Sequence, residues 1–252
     1  SIKHISMNYT KTNNILGWLS FVIASAVYIL TLEPTASFWD CGEFISAAYK
    51  LQVVHQPGAP LFLMIQKIFS LLAMGNIHQI AYWMNVGSAL SSGATILFLF
   101  WTITMLVKKV VWKSGEELTY SKLIIIMGSG LVGAWAYTFS DSFWFSAVES
   151  EVYAMSSLCT AIVFWAILKW DSHADDPDAD KWLIFIAYIM GLSIGVHLLN
   201  LLAIPAIALL YYFRRTKETT DRGTILALFA GVVILAFIQY GIVQYLIRFA
   251  AY

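Results

Sequence analysis

Six apolar runs, at about 15–32, 79–107, 121–139, 143–168, 182–212 and 223–247, constrain this chain more than any motif it carries. A run of about 18 residues or more is what crosses ~30 Å of hydrocarbon as an α-helix. Hydrocarbon offers the backbone no water, so each run must satisfy its own amides, and helix does so. Only 12% of the 252 residues are charged while 60% are hydrophobic, a balance unsuited to a soluble domain of this size. The expected fold class is therefore an all-α polytopic membrane protein. Fifteen basic and fifteen acidic residues cancel, which leaves no footprint for nucleic acid. Cys41 and Cys159 lie far apart in the topology, which argues against a disulfide framework.

The run 182–212 is too long for one ordinary span, and Gly195, Asn200 and Pro205 interrupt it. Dividing it into about 182–196 and 199–212 gives seven membrane helices. The run 79–107 is also long and must tilt or project. The first run lacks a small-residue cleavage site and is read as an anchor. With the N-terminus in the cytoplasm, cytoplasmic segments hold Lys3, Lys11, Lys108, Lys109, Lys113, Lys122, Lys169, Lys181, Arg214, Arg215, Lys217 and Arg222. Only Lys50, Lys67 and Arg248 fall on the other side, so basic residues concentrate as the positive-inside rule requires.

That other side receives a large loop, about 33–78, with two amphipathic stretches expected to lie at the membrane surface. Asp40 to Val53 carries Phe44, Ala47, Ala48 and Leu51 at helical spacing. Ala59 to Met74 carries Leu61, Ile65, Ile68, Phe69 and Leu72. A rigid turn, His55-Gln56-Pro57-Gly58-Ala59-Pro60, separates them.

Five acids, Asp40, Glu43, Asp141, Glu149 and Glu151, map to this same face. Carboxylates at the edge of a bilayer are costly and mark a candidate site. Asp40 and Glu43 have the spacing of a helix cap and its returning acid. Wrapped in Phe38, Trp39 and Phe44, Asp40 also suits a general base with a tuned pKa. His55 either stiffens the turn or orients a carboxylate or contacts phosphate. Glu149 and Glu151 open the expected fourth span, where the helix dipole favours acids. Two residues apart on a helix they point away from each other, so one, Glu151 with Tyr153, is expected to face a cavity. Gly191 and Gly195 have helix-packing spacing, and they bring His197 and Asn200 to the same face. Gly128, Gly130 and Gly133 need nothing beyond packing. The acidic segment 171–180 lacks the glycine and terminal glutamate of a calcium loop and reads as a solvated linker. His55, His197, Asp40 and Glu151 are hard donors, but no local ligand spacing supports a metal. Neither does any nucleophile elbow suggest a serine hydrolase.

Trp39-Asp40-Cys41-Gly42-Glu43-Phe44, followed by the segment His55 to Leu61, resembles the paired signature of the protein O-mannosyltransferase-like membrane proteins, glycosyltransferase family 117. Glu149-Ser150-Glu151-Val152-Tyr153 and the segment Gly191 to Asn200 look like that family's other short motifs, in order, so the resemblance spans residues 15 to about 250. It implies a GT-C-like module of about seven helices and a sugar drawn from a polyprenyl-phosphate carrier at the outer face of the bacterial inner membrane. By that likeness Asp40 is the base that deprotonates an acceptor hydroxyl during inversion at the anomeric carbon, and Glu43 a supporting acid. His55, Glu149, Glu151, Tyr153, His197 and Asn200 would bind substrate, and Arg248 would assist the leaving phosphate or snorkel to headgroups. Family members are usually longer, so residues 1–252 would form the N-terminal module of a larger architecture. The implied partners are membrane lipids, the lipid-linked donor, an acceptor protein or glycan and a larger membrane complex. No cofactor is expected and a divalent metal is not favoured. The competing readings are a non-catalytic subunit that binds lipid carrier or partner, and a transporter; the latter would place its ionisable groups near the midplane.

Overall fold

Every regular element of the computed structural model is helical, across the described residues 2–113 and 115–250. The side chains of residues 2–8, which include Lys3, lie outside that description, as do those of 246, 247 and 250. Helix α1 (Ile2–Leu30) is followed by two short loop helices, α2 (Cys41–Lys50) and α3 (Pro60–Leu71). A 3-10 turn at Ile77–Gln79 then leads into the long central helix α4 (Ile80–Val111). Next come α5 (Tyr120–Thr138), α6 (Asp141–Ala147), α7 (Val152–Ser172) and α8 (Asp180–Ile194). A 3-10 segment, Leu198–Ala203, precedes α9 (Ile204–Arg215). Helix α10 (Asp221–Ala236) continues through a π-helical stretch, Phe237–Leu246, into the short α11 (Ile247–Ala250).

Helix α4 is the axle of the bundle, with α1, α5 and α7 packed along it and α3 against its first turns. Close approach to α1 depends on Gly93, where a Cβ would come within 2.0 Å of the Ser25 hydroxyl. Gly130 and Gly133 do similar work for α5, against Thr104 with Phe100 and against Ile103.

Length and apolarity single out five stretches able to cross a membrane: 9–30, 77–111, 152–172, 198–215 and 221–245. Helices α5 and α6, bent by 68° at their junction, make a sixth if taken together. The expected count of seven is therefore not reached on these criteria, because α8, with 15 residues, rises only ~22 Å. The split of 182–212 is nonetheless where the polar residues put it. Asp180 at the start of α8 pairs with Arg215 at the end of α9 (3.7 Å), so the chain runs out and returns.

The expected fourth span at 143–168 needs correction. Its apolar start, Phe143 to Ala147, belongs to α6; the chain then breaks at 148–151, and the span itself begins at Val152. A carboxylate at residue 151 ends the run by accepting from the Val152 N–H outside the helix (3.1 Å). The buried face of α3 also differs from the one the pattern suggested. Phe62, Leu63, Gln66 and Ser70 turn inward, while Ile68 and Leu72 are exposed. Two polar side chains hid that face: Gln66 Nε2 donates to the Ser88 hydroxyl on α4 at 3.4 Å.

The acidic segment 171–180 is more than a solvated linker. Asp171 pairs with Lys109 and Arg214, and Asp175 also pairs with Arg214, which ties the ends of α4, α7 and α9 together. Both cysteines are free.

Candidate functional site

At the opposite end of the bundle, the loop helices fold down over the start of α7. Phe44, Ala47 and Ala48 of α2 and Phe62 and Leu63 of α3 share one core with Met84 and Met155. Asn85 fixes the loop's entry by donating to the carbonyls of Glu33 (2.6 Å) and Thr35 (3.1 Å). The far end of the loop is fixed by Gly195, whose carbonyl accepts from the Leu61 and Phe62 N–H groups (2.8 and 3.2 Å). Those are orphan donors of the first turn of α3, so a break between α8 and α9 serves as that helix's cap.

Asp40 stands at the N-cap position of α2 yet makes no capping bond, and Glu43 does not reach back. Glu43 instead grips the turn between the loop helices: Oε1 accepts from the His55 N–H (2.8 Å) and Oε2 lies 2.9 Å from His55 Nδ1. His55 Nε2 is then 4.0 Å from Asp40 Oδ2. Glu43 hydrogen bonding raises the pKa of His55, and the same bond lowers that of Glu43. The contact between His55 Nδ1 and Glu43 Oε2 therefore holds the ring with Nε2 toward Asp40. Gly58, at φ +79°, completes the turn, its N–H bonded to the His55 carbonyl at 2.9 Å.

Across from this exposed trio sits the buried start of α7. Glu149 and Glu151 are 4% and 5% exposed, and neither lies inside a helix, so the expected divergence of their side chains does not apply. Burial pushes the Glu151 carboxyl up to about 7, against the lowering effect of the Val152 N–H, with Glu149 and Asp40 adding to the rise. Burial also raises Glu149, opposed by a hydrogen bond from Ser37. The Tyr153 ring lies 5.5 Å from that of His197. His197 Nδ1 accepts from the Leu199 N–H (3.1 Å), and burial lowers its pKa. Its neutral form thus carries the proton on Nε2.

One small cavity of about 70 Å³ touches all of these segments: Asp40 and Phe44, the turn from Val54 to Ala59, Glu151 to Tyr153, and Val196 with His197. No lysine or arginine lines it among the described residues. Glu43 stands behind it, through His55. Glu149 is not in its lining, and neither is Asn200, whose amide donates to the Ser193 hydroxyl (3.0 Å) and stiffens the turn after α8. Arg248 is not in its lining either: its guanidinium lies over the Tyr245 ring at 5.7 Å, in the short helix that follows the π-helical stretch. Oxygen and nitrogen donors of Asp40, Glu43 and His55 lie within 4.8 Å of one another, a spacing that could hold a divalent cation if Glu43 released His55.

Asn85 and Ser37 are supports that the motif reading did not pick out for this site, and Gly195 supports it as a carbonyl cap for α3 and not only through helix packing. A carboxamide inside the apolar run 79–107 was the available signal for Asn85.

The family described as the protein O-mannosyl-transferase TMEM260 N-terminal domain matches residues 40–220. Over 147 residues the chain is 26% identical to the protein O-mannosyl-transferase tmem260 of Dictyostelium discoideum, covering 58% of this chain and 16% of that protein. Over 199 residues it is 26% identical to the protein O-mannosyl-transferase TMEM260 of Mus musculus, covering 79% and 26% respectively. The aligned part is thus about a quarter or less of either relative's length. No solved structure matches.

Proposed function

This chain belongs to the protein O-mannosyl-transferase TMEM260 N-terminal domain family, and from that premise we propose that it transfers a sugar from a polyprenyl-phosphate donor to the hydroxyl of a protein serine or threonine. The reading is supported most by one observation: four segments drawn from between residues 40 and 197 converge on a single cavity with an exposed carboxylate, Asp40, in its lining. Asp40 is 57% exposed at its side chain and has no capping duty, which leaves it available to a hydroxyl arriving from water. In this reaction the acceptor oxygen attacks the anomeric carbon as Asp40 takes its proton. The bond from that carbon to the phosphate oxygen breaks, the configuration inverts, and the carrier leaves as polyprenyl phosphate. His55, held by Glu43, supplies positive charge beside Asp40; His197 Nε2–H and protonated Glu151 supply donors to the sugar or the departing phosphate. The cavity belongs, in this reading, to the periplasmic side of a bacterial inner membrane, where a lipid-borne donor and a polar acceptor meet.

Asp40→Asn is the decisive variant. Transfer from a polyprenyl-phosphate mannose to a serine/threonine peptide should fall by about 10²-fold or more, with an unchanged melting temperature. Undiminished transfer by a folded variant would remove Asp40 as the base.

A further inference from the structure

A second cavity, of about 400 Å³, lies at the end of the bundle remote from Asp40, between α1, α4 and α7. It has the opposite character. Lys108, Lys109 and Lys169 line it, and of these only Lys109 has an acidic partner among the described residues, Asp171. Lys108 lies over the rings of both Tyr9 and Trp112, at 4.8 Å from each. Lys169 lies over Trp165 at 5.6 Å. Both lysines are half-buried and line this same cavity.

A lysine at a membrane edge ordinarily extends its ammonium group toward water. Lys108 is instead held between two aromatic faces, which retains the cation within the cavity. Two cations sharing a half-buried space without a counter-charge repel each other, and an anion placed between them removes that cost. One lining donor lacks a hydrogen-bond acceptor: the Trp101 Nε1–H is buried without one. Basic pockets between membrane helices are suited to phosphate head groups.

We propose that this cavity binds a phosphate group between Lys108 and Lys169, carried on an anionic membrane lipid or present as a free ion. The site is independent of the transferase reading. Its aromatic walls and its place at the ends of membrane-crossing helices favour the lipid as the source.

Native mass spectrometry of the whole chain, offered phosphatidylglycerol or phosphatidylcholine, tests the proposal. Wild type should retain phosphatidylglycerol about tenfold better than phosphatidylcholine. The preference should vanish in the Lys108→Gln, Lys169→Gln double variant and survive in the Lys108→Arg, Lys169→Arg variant. If the double glutamine variant does not fold, Lys169→Gln alone should lower the preference. Should wild type show no lipid preference while inorganic phosphate raises its melting temperature, and not that of the glutamine variant, the source is the free ion and the site stands. Absence of both effects, or their persistence in the glutamine variants, overturns the proposal.

Discussion

Glu151 shows how burial sets the chemistry of one residue. In the unfolded chain its carboxyl titrates near the model value of 4.5, while the fold holds it up to about 7. Between those values the folded state keeps a proton that the unfolded state has lost, so folding takes up a proton and this group's contribution falls as pH rises. Below about 4.5 and above about 7 the contribution is flat. Glu151→Gln should therefore match wild type at pH 4 and exceed it by on the order of 2 kcal/mol at pH 8, as read from unfolding curves in detergent. A variant equally weakened at both pH values would show the carboxylate to be ionised and satisfied in the fold. At this scale most of the cavity was legible in the sequence. Asp40, His55, Glu151, Tyr153 and His197 drew notice because polar residues next to apolar runs need a reason. Less visible was the work of Glu43. Its spacing from Asp40 fits a cap, and only the tertiary fold brings His55, twelve residues on, within reach of its carboxylate. Arg248 lies outside the cavity's lining: an expected membrane side for a residue says nothing about its lateral distance from a site.

Among the elements, the junction of α8 and the following 3-10 turn carries the loop helices. Gly191 and Gly195 have the same spacing as a helix-packing pair, yet they differ in kind. No atom lies within 4 Å of a Cβ built at Gly191, whereas at Gly195 the Leu61 Cβ would be 2.9 Å away and the Leu61 nitrogen 3.4 Å. Gly191→Ala should thus be neutral or stabilise by about 0.5–1 kcal/mol through helix propensity. Gly195→Val should destabilise by about 1–3 kcal/mol, because α3 must shift off its carbonyl cap. Thermal unfolding of both variants, with transferase activity read alongside, checks the contrast. Equal effects would mean that the pair packs as a simple stripe. The long helices were legible because an apolar run of that length permits little else. Breaks between them were harder to place: Phe143 to Ala147 is as oily as the span it precedes, and the buried face of α3 includes Gln66, which donates to the Ser88 hydroxyl, and Ser70, which donates to the Lys67 carbonyl.

Across the whole molecule, two chemistries occupy two ends. Glu151 caps one end of α7 and Asp171 sits in its last turn, ~30 Å away by helical rise, close to the thickness of a bilayer's hydrocarbon. The first end holds the carboxylates and imidazoles of the cavity, and the second holds Lys108 and Lys169 together with Lys109 and Arg214, the last two paired to Asp171 and Asp175. Basic residues tend to be retained on the cytoplasmic side of membrane helices, so the charge division predicts an orientation with the lysine-rich end in the cytoplasm. His78, exposed just before α4, marks the end with the cavity, and exposed Lys217, just after α9, marks the other. In a chain whose Cys41 and Cys159 are replaced by alanine, His78→Cys should react with a membrane-impermeant maleimide in intact cells. Lys217→Cys should react only once the membrane is permeabilised. Reaction of both without permeabilisation would contradict two ends separated by a bilayer. The reverse pattern would place Asp40 in the cytoplasm, away from any acceptor in the outer compartment, while leaving the geometry of its cavity intact.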